Sequence, residues 1–307
     1  MPERELIFPL VQSRKSGGLE ITGRTSRRRG SGSEIASSRH YQRGDTIKQV
    51  DWAASARLST AHASDEFVVR DHFAEDAILV MVVVDRSPTI ALFPRELPWL
   101  HKPEVVFEAG RMILASASAE HALIGYGESA ARGLLLKHPR RNRALVALIH
   151  QRLRDDRPDG PHDSLDRTLE GLSSSSLDVP SGTFVFILSD FLPPPSPAAI
   201  RTALATGWDL IPVIIQDPIW ERSFPDVAGV TLPLAYPVTG ALSLVRLRSS
   251  EARARRGANE LRAQTLRESF LALGIDSITL SRPDRSAIHR AFLGWAEGRS
   301  QWARRIQ

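Results

Sequence analysis

Two separate apolar runs in this chain are each followed directly by an aspartate. Residues 78–84 read ILVMVVV and precede Asp85, and residues 183–189 read TFVFILS and precede Asp190. A continuous apolar run rich in β-branched residues is typical of a central strand covered on both faces. Both runs are therefore predicted to be interior strands of a sheet, each with a carboxylate at its carboxyl end.

The segments around these runs alternate between helix and strand patterns. Apolar residues recur at helical spacing in 104–120, 143–155, 165–172, 197–206, 250–273 and 286–305. Strand patterns lie in 121–126, 133–137, 209–216 and 275–280, and 230–234 and 241–247 suit a hairpin. Pro212 indicates an irregular or an edge strand. This alternation predicts an α/β domain over residues 77–307, with a doubly wound, mainly parallel, Rossmann-like sheet.

The first 76 residues have a different character. Residues 13–33 are rich in Gly, Ser and Arg, which indicates a flexible loop, whereas 66–73 (EFVVRDHF) has the character of a strand. We expect residues 1–76 to form a small, β-rich N-terminal unit.

Composition excludes several classes of protein. The 307 residues are 42% hydrophobic and 24% charged, which is ordinary for a globular chain. The absence of cysteine excludes disulfides, thiolate metal sites and cysteine nucleophiles. No apolar run approaches the roughly 18–20 residues that a membrane span needs, and the N-terminus lacks the pattern of a secretory signal. We therefore expect a cytoplasmic protein.

The loop after the first apolar run carries oxygen-bearing side chains at alternate positions. Asp85, Ser87 and Thr89 form an Asp-x-Ser-x-Thr pattern. Because the carboxyl ends of parallel strands meet at one edge of a sheet, Asp190 is expected beside this loop. Carboxylate and hydroxyl oxygens suit a hard divalent cation. The pattern therefore predicts a site for Mg²⁺ or Mn²⁺.

A further oxygen ligand is expected from the loop before the helix at 165–172. Either Asp163 or Ser164 would supply it, although both also suit the N-cap of that helix. Asp85 and Ser87 have a simpler interpretation as well, since both residue types favour turns at strand ends. Two strand-ending aspartates in one predicted sheet favour the metal site.

The four residues Asp85, Ser87, Thr89 and Asp190 resemble the metal-ion-dependent adhesion site of von Willebrand A domains. An upstream block, with GSGSE at 30–34, RHYQRGD at 39–45 and VDW at 50–52, resembles the signature of the domain of unknown function 58 family of MoxR-associated proteins. This resemblance implies a von Willebrand A-like fold. It also implies joint action with a MoxR-type AAA+ ATPase in the maturation or assembly of a client protein.

The upstream block itself has two interpretations. In the first it is structural, with a turn at Gly44 and with Trp52 packing the N-terminal unit against the main sheet. In the second it docks a partner protein, because Trp and Arg are common at binding hot spots. The candidate docking residues are Arg39, Arg43, Asp45, Asp51, Trp52 and Arg57.

These observations give one main hypothesis and two alternatives. The main hypothesis is a non-enzymatic, metal-dependent protein-interaction module, since no nucleophile elbow, P-loop or Gly-x-Gly-x-x-Gly motif is present. The net charge of +5 allows nucleic-acid binding through the Arg-rich N-terminus and the helix near Arg256. The second alternative is a Mg²⁺- or Mn²⁺-dependent hydrolase.

Overall fold

The computed structural model describes residues 5–12, 25–40, 50–62, 67–75, 77–91, 100–154, 158–174, 179–227, 229–235 and 242–304. The chain divides into two compact units. The smaller is Leu19–Ala77, and the larger combines Met1–Gly18 with Ile78–Gln307.

The smaller unit is built on a two-stranded antiparallel sheet. Strand β1 (Thr25–His40) pairs with β2 (Val68–Glu75), and the register shifts three times because β1 is twice as long as its partner. Strand β2 confirms the strand predicted over 66–73. The expected flexible loop is wrong for residues 25–33, because backbone pairing with β2 holds an Arg- and Gly-rich segment extended.

A short helix of the smaller unit, α1 (Trp52–His62), begins beside the start of β2. The Asp51 carboxylate accepts a hydrogen bond from the backbone N–H of Ala54 at 3.1 Å and so caps the helix. The Ser55 hydroxyl donates to the Asp51 carbonyl and accepts from the Val68 N–H at 2.8 Å. The first turn of α1 is therefore fixed to β2.

The larger unit contains eight strands among its described residues. They are β3 (Leu79–Val84), β4 (Leu123–Ala130), β5 (Gly133–Arg140), β6 (Phe184–Ser189), β7 (Asp209–Ile215), β8 (Thr231–Ala235), β9 (Leu242–Arg246) and β10 (Ile278–Leu280). Six of them form a sheet in the order β10-β7-β6-β3-β4-β5, and β8 and β9 form the predicted hairpin. All neighbours in the six-stranded sheet are parallel except β4 and β5. The predicted mainly parallel α/β sheet is therefore confirmed.

Among the described residues of the larger unit, six helices cover this sheet. They are α2 (Lys102–Ala119), α3 (Arg143–Arg154), α4 (Ser164–Ser174), α5 (Pro197–Ala205), α6 (Ser249–Ala272) and α7 (Arg285–Arg304). Buried side chains of α2, α3 and α7 pack on one face of the sheet, and those of α4, α5 and α6 pack on the other. In the described part of the chain, none of the helices has the length and apolar character of a membrane span.

The apolar sequence of β3 follows from its position between these two layers. Val80, Val82 and Val84 enter the core on the side of α2, whereas Met81 and Val83 enter the core on the side of α4. Alternate residues of a strand point to opposite faces, so a strand covered on both faces needs apolar residues throughout.

The direction in which the chain crosses the sheet reverses at β3. From β3 the chain passes to β4 and β5 on one side, then returns through α3 and α4 to β6 on the other side. Neighbouring parallel strands with diverging connections form a topological switch point, where α/β sheets bind ligands beyond the carboxyl ends of the strands. Asp85 follows β3 directly and Asp190 follows β6 directly, so both carboxylates lie at this switch point.

Strand β7 is an interior strand, which corrects the expectation that Pro212 marks an edge. It lies between β6 and β10, and Pro212 is aligned with Ile187 of β6. Strand β10 pairs with β7 only from Val213 onward. The missing N–H of the proline therefore costs no hydrogen bond of that ladder.

The segment at residues 5–12, which the sequence pattern grouped with residues 1–76, packs within the larger unit. The Phe8 ring is buried and stacks on Phe292 of α7 with a centroid separation of 4.4 Å. Its backbone N–H donates to the hydroxyl of Ser116 in α2 at 3.0 Å. Residues 5–12 therefore contact both α2 and α7, two helices that cover the same face of the sheet.

Candidate metal centre

The Asp85 loop is fixed by hydrogen bonds from both sides of its carboxylate. One oxygen, Oδ1, accepts from the Ser87 backbone N–H at 2.8 Å, and the other, Oδ2, accepts from the Ser189 hydroxyl at 2.7 Å. A 3-10 turn, Pro88–Ala91, follows at once. The turn brings the hydroxyl oxygens of Ser87 and Thr89 to within 2.9 Å of each other.

Asp190 completes a row of three side-chain oxygens. Thr89 Oγ1 donates to Asp190 Oδ1 at 3.1 Å, so Ser87 is the donor in its contact with Thr89. The Leu192 N–H also donates to Asp190 Oδ1, at 3.0 Å. Asp85, Ser87, Thr89 and Asp190 are all buried. The structure thus brings together the four residues that the sequence placed at the carboxyl ends of β3 and β6.

This donor set fits Mg²⁺ or Mn²⁺ in type and in spacing. Adjacent ligands of an octahedral ion bound at 2.0–2.1 Å lie about 2.9 Å apart, which is close to the 2.9 and 3.1 Å separations along Ser87, Thr89 and Asp190. Two of the three oxygens in this row are hydroxyls, from Ser87 and Thr89, and one is a carboxylate oxygen, from Asp190. In the described residues, His, Cys, Asp and Glu alone form no group of three that could hold a metal.

A buried cation lies on the far side of Asp190. The ammonium group of Lys102, the first residue of α2, is 2.7 Å from Asp190 Oδ2 and 2.7 Å from Glu221 Oε1. The Lys102 side chain is only 1% exposed. Burial opposes its charge, but the carboxylates of Asp190 and Glu221 outweigh burial and raise the pKa of Lys102 above its ordinary value. Lys102 is therefore charged at neutral pH.

Sequence reasoning missed Lys102 and Glu221, although one signal was present. Lys102 is one of only four lysines in the chain, and it starts a helix, where the helix dipole disfavours a positive charge. A lysine at such a position indicates a carboxylate partner. Nothing local shows that the partners are 88 and 119 residues away.

The Asp85 carboxyl group has an unusual proton affinity. Burial, followed by the negative charge of Asp190, raises the pKa of Asp85 to about 6, and the hydrogen bonds from Ser189 and Ser87 oppose part of this rise. A cation close to the carboxylate would favour its charged form. Asp85 therefore has an electrostatic reason to favour a nearby cation, whereas Asp190 already has one in Lys102.

The Arg86 side chain does not join the row of oxygens; it contacts β4 and α3 and holds the Asp85 loop in place. Its Nε donates to Glu128 Oε2 at 2.6 Å and its Nη2 donates to the Arg152 carbonyl at 2.5 Å. The Tyr126 hydroxyl donates to the same Glu128 oxygen at 2.6 Å, and the Arg152 side chain pairs with the other. This buried network on β4 and α3 sets the position of the loop that carries Ser87 and Thr89.

Ser164 lies beside the loop but contacts its backbone. The Ser164 hydroxyl accepts from the Arg86 N–H at 3.0 Å and donates to the Ser129 carbonyl at 2.9 Å. Asp163 is 53% exposed and pairs with Arg167 at 2.8 Å. Ser164 therefore joins the Asp85 loop to β4, and neither residue is placed in the row of oxygens at Asp190.

The candidate docking residues are only partly described. Arg43 and Asp45 lie outside the described residues, and for Arg39 only the backbone, within β1, is described. Asp51 caps α1. Trp52 is 60% exposed and packs edge-on against Phe67, with ring centroids 6.1 Å apart. Arg57 is exposed on α1.

Comparison with protein families identifies the chain. Residues 37–265 match the family described as "Protein of unknown function DUF58". The chain belongs to this family. The matched region runs from β1 to α6 and contains every residue of the candidate metal centre. No curated protein matches the sequence.

Solved structures similar to this family member share little sequence with it. The conserved hypothetical protein BatB from Bacteroides thetaiotaomicron is 9% identical over 73% of this chain and 100% of its own, with a TM-score of 0.37. The pilus adhesin SpaC from Lactobacillus rhamnosus GG is 10% identical over 73% of this chain and 30% of its own, with a TM-score of 0.42. An aerotolerance-related membrane protein from Bacteroides fragilis gives 10% identity over 70% of this chain and 98% of its own, at 0.35. We draw no argument from matches at these TM-scores.

Proposed function

We propose that this member of the DUF58 family is a non-enzymatic protein-interaction module with a von Willebrand A-like fold. The observation that carries the proposal is the row of oxygens from Ser87, Thr89 and Asp190 at the carboxyl ends of two neighbouring parallel strands. The topological switch point is where such sheets bind ligands. The row has the donor type and spacing of a Mg²⁺ or Mn²⁺ site.

Ser87, Thr89 and Asp190 would hold the ion directly. Asp85 would add negative charge and keep Ser87 in place through the hydrogen bond to its N–H. Ser164 would act through the backbone of Arg86. A bound Mg²⁺ or Mn²⁺ would supply a positive charge, which would attract a carboxylate of a partner protein. Ser87, Thr89 and Asp190 would then lie at the contact between the two proteins.

The partner we propose is a MoxR-type AAA+ ATPase, acting with this chain on a client protein. The sequence contains no P-loop, so the ATPase would have to supply ATP hydrolysis. The resemblance to MoxR-associated proteins supports this choice of partner. The site supports only the chemistry of the contact, which is an acidic side chain of the partner meeting the bound ion.

Nucleic-acid binding through the Arg-rich N-terminus and the helix near Arg256 stays an alternative prediction. On that helix, Arg256 Nε donates to the Phe224 carbonyl at 2.8 Å, and Arg262 donates to the Glu221 carbonyl at 2.7 Å. A Mg²⁺- or Mn²⁺-dependent hydrolase stays the second alternative prediction.

The metal site is tested by Mn²⁺ titration, with free Mn²⁺ measured by electron paramagnetic resonance. Thr89→Val keeps the shape of the side chain and removes its hydroxyl, so we expect a loss of Mn²⁺ affinity of about tenfold or more. The matched control is Thr231→Val, at an exposed position of β8, which should bind Mn²⁺ like the wild type. Unchanged affinity in folded Thr89→Val and Asp190→Asn would overturn the site.

A further inference from the structure

The ammonium group of Lys102 already occupies part of the candidate metal centre. It reaches Asp190 from the start of α2, and its second partner, Glu221, comes from the segment that follows β7. Each partner is itself held in place. Asp190 Oδ1 accepts from Thr89 and the Leu192 N–H, and Glu221 Oε2 accepts from the Asp217 N–H at 2.8 Å.

Asp190 is shared between the row of oxygens and the ammonium group. Its Oδ1 atom faces Thr89, and its Oδ2 atom faces Lys102. An ion bound at Oδ1 would therefore lie next to the Lys102 charge, in a buried region where like charges repel strongly. A divalent ion and the ammonium group compete for the same carboxylate.

Glu221 gives the ammonium group a second acceptor. If an ion takes Asp190, Lys102 keeps its contact with Glu221, so its charge does not remain buried without a partner. If no ion is present, Lys102 neutralises Asp190 and the polar cluster is satisfied. Lys102 therefore has a carboxylate partner both with and without a bound ion.

We propose that Lys102 is a resident cation that competes with the divalent ion for Asp190 and thereby sets the metal affinity of this site. This inference rests on the proposed function, since it concerns the same centre. It predicts that the chain folds without metal and binds Mg²⁺ or Mn²⁺ weakly. It also predicts that removing Lys102 and removing the charge of Glu221 change the metal affinity in opposite directions.

The test measures Mn²⁺ affinity by electron paramagnetic resonance in the wild type and two variants. Lys102→Met removes the competing charge at nearly constant length, so Mn²⁺ should bind about tenfold more tightly or better. Glu221→Gln removes the second negative charge beside Lys102, so Lys102 holds Asp190 more firmly and Mn²⁺ should bind several-fold more weakly. Lys137→Met, on β5, is the matched control and should leave the affinity unchanged.

Thermal unfolding of the same proteins gives a second measurement. Without metal, Lys102→Met should melt at a lower temperature than the wild type, because Asp190 and Glu221 lose their cation. Saturating Mn²⁺ should raise the melting temperature of Lys102→Met more than that of the wild type. If Lys102→Met fails to fold, the direction of the Glu221→Gln effect decides the inference alone.

The outcomes separate this inference from the proposed function. Equal Mn²⁺ affinity in the wild type, Lys102→Met and Glu221→Gln would overturn the competition and leave the metal site standing. Binding by Lys102→Met alone would support the competition and overturn metal-dependent docking by the wild type. No Mn²⁺ binding by any folded variant would overturn both.

Discussion

Thr89 donates a hydrogen bond to Asp190 across 3.1 Å, although 101 positions separate the two residues in the chain. The contact exists because β3 and β6 are parallel neighbours, so the residues that follow them emerge at the same edge of the sheet. It joins the two loops of the switch point.

The raised pKa of Asp85 makes stability depend on pH. An acid whose pKa is higher in the folded than in the unfolded state binds its proton more tightly when folded, so stability falls as pH rises from about 4 to about 6. From 3.8 to about 6, the loss is on the order of 3 kcal/mol. Asp85→Asn should therefore gain about that much relative to the wild type between pH 4 and 7, measured by urea unfolding in EDTA.

The exposed Asp163 provides the comparison for this measurement. Asp163→Asn should unfold in parallel with the wild type across the same pH range, because its side chain is largely in water. A constant difference between Asp85→Asn and the wild type over that range would contradict the account of a desolvated carboxyl group.

Gly160 packs directly under the Asp85 loop. A Cβ atom at this position would lie 2.5 Å from the Ser129 carbonyl oxygen and 2.7 Å from the Arg86 carbonyl oxygen. Backbone atoms cannot move aside without disturbing the fold, so Gly160→Ala should destabilise the protein by about 1–3 kcal/mol. Gly257→Ala is the opposite case, since nothing lies within 4 Å and the residue is inside α6. Gly257→Ala should stabilise the protein by about 0.5–1 kcal/mol. If both substitutions changed the free energy of unfolding in the same direction, the packing described for Gly160 would be wrong.

The Phe8 ring is a structural anchor of the N-terminal segment. It stacks on Phe292 and meets Trp295 and Phe186 edge-on. Removing a buried aromatic ring costs about 3–5 kcal/mol, so Phe8→Ala should lower the free energy of unfolding by that amount in denaturant melts. Ile7→Ala, at a 49% exposed side chain, should change it by about 0.5 kcal/mol or less. Equal effects would show that the segment is not packed as described.

Glu128 holds two arginines below the loop. Glu128→Ala would remove the carboxylate that pairs with the buried Arg86, and breaking a buried ion pair costs about 3–5 kcal/mol. Because Arg86 positions the loop that carries Ser87 and Thr89, the same variant should also weaken Mn²⁺ binding. Glu170→Ala, at an exposed position of α4, should change neither quantity. Loss of stability with full Mn²⁺ affinity would show that the Arg86 network supports the fold but not the site.

Much of the sheet follows from local sequence pattern, and so do the four oxygen-bearing residues of the centre, Asp85, Ser87, Thr89 and Asp190. The apolar run before Asp85 fixes an interior strand, and parallel topology then places Asp190 nearby without any further information. Lys102 and Glu221 were not predictable in this way. Their contacts depend on how α2 and the segment after β7 approach the switch point, which no local period encodes.

Two of the departures from expectation have a common physical cause. Pro212 lies in an interior strand because the neighbouring β10 begins one residue later, and residues 25–33 form a strand because β2 pairs with them. In both cases the partner strand decides the outcome rather than the residue's own preference. Ser164 similarly takes its role from the nearby backbone of Arg86.

Metal-dependent capture from the source organism tests the central claim most directly. The wild-type chain and Thr89→Val would each be immobilised, loaded with lysate in Mg²⁺, washed, and eluted with EDTA for mass spectrometry. We predict that an AAA+ ATPase of MoxR type, or one defined client, elutes with EDTA from the wild type and is missing from the Thr89→Val eluate. Identical eluates from the two proteins would contradict a metal-bridged interaction at the Asp85 loop.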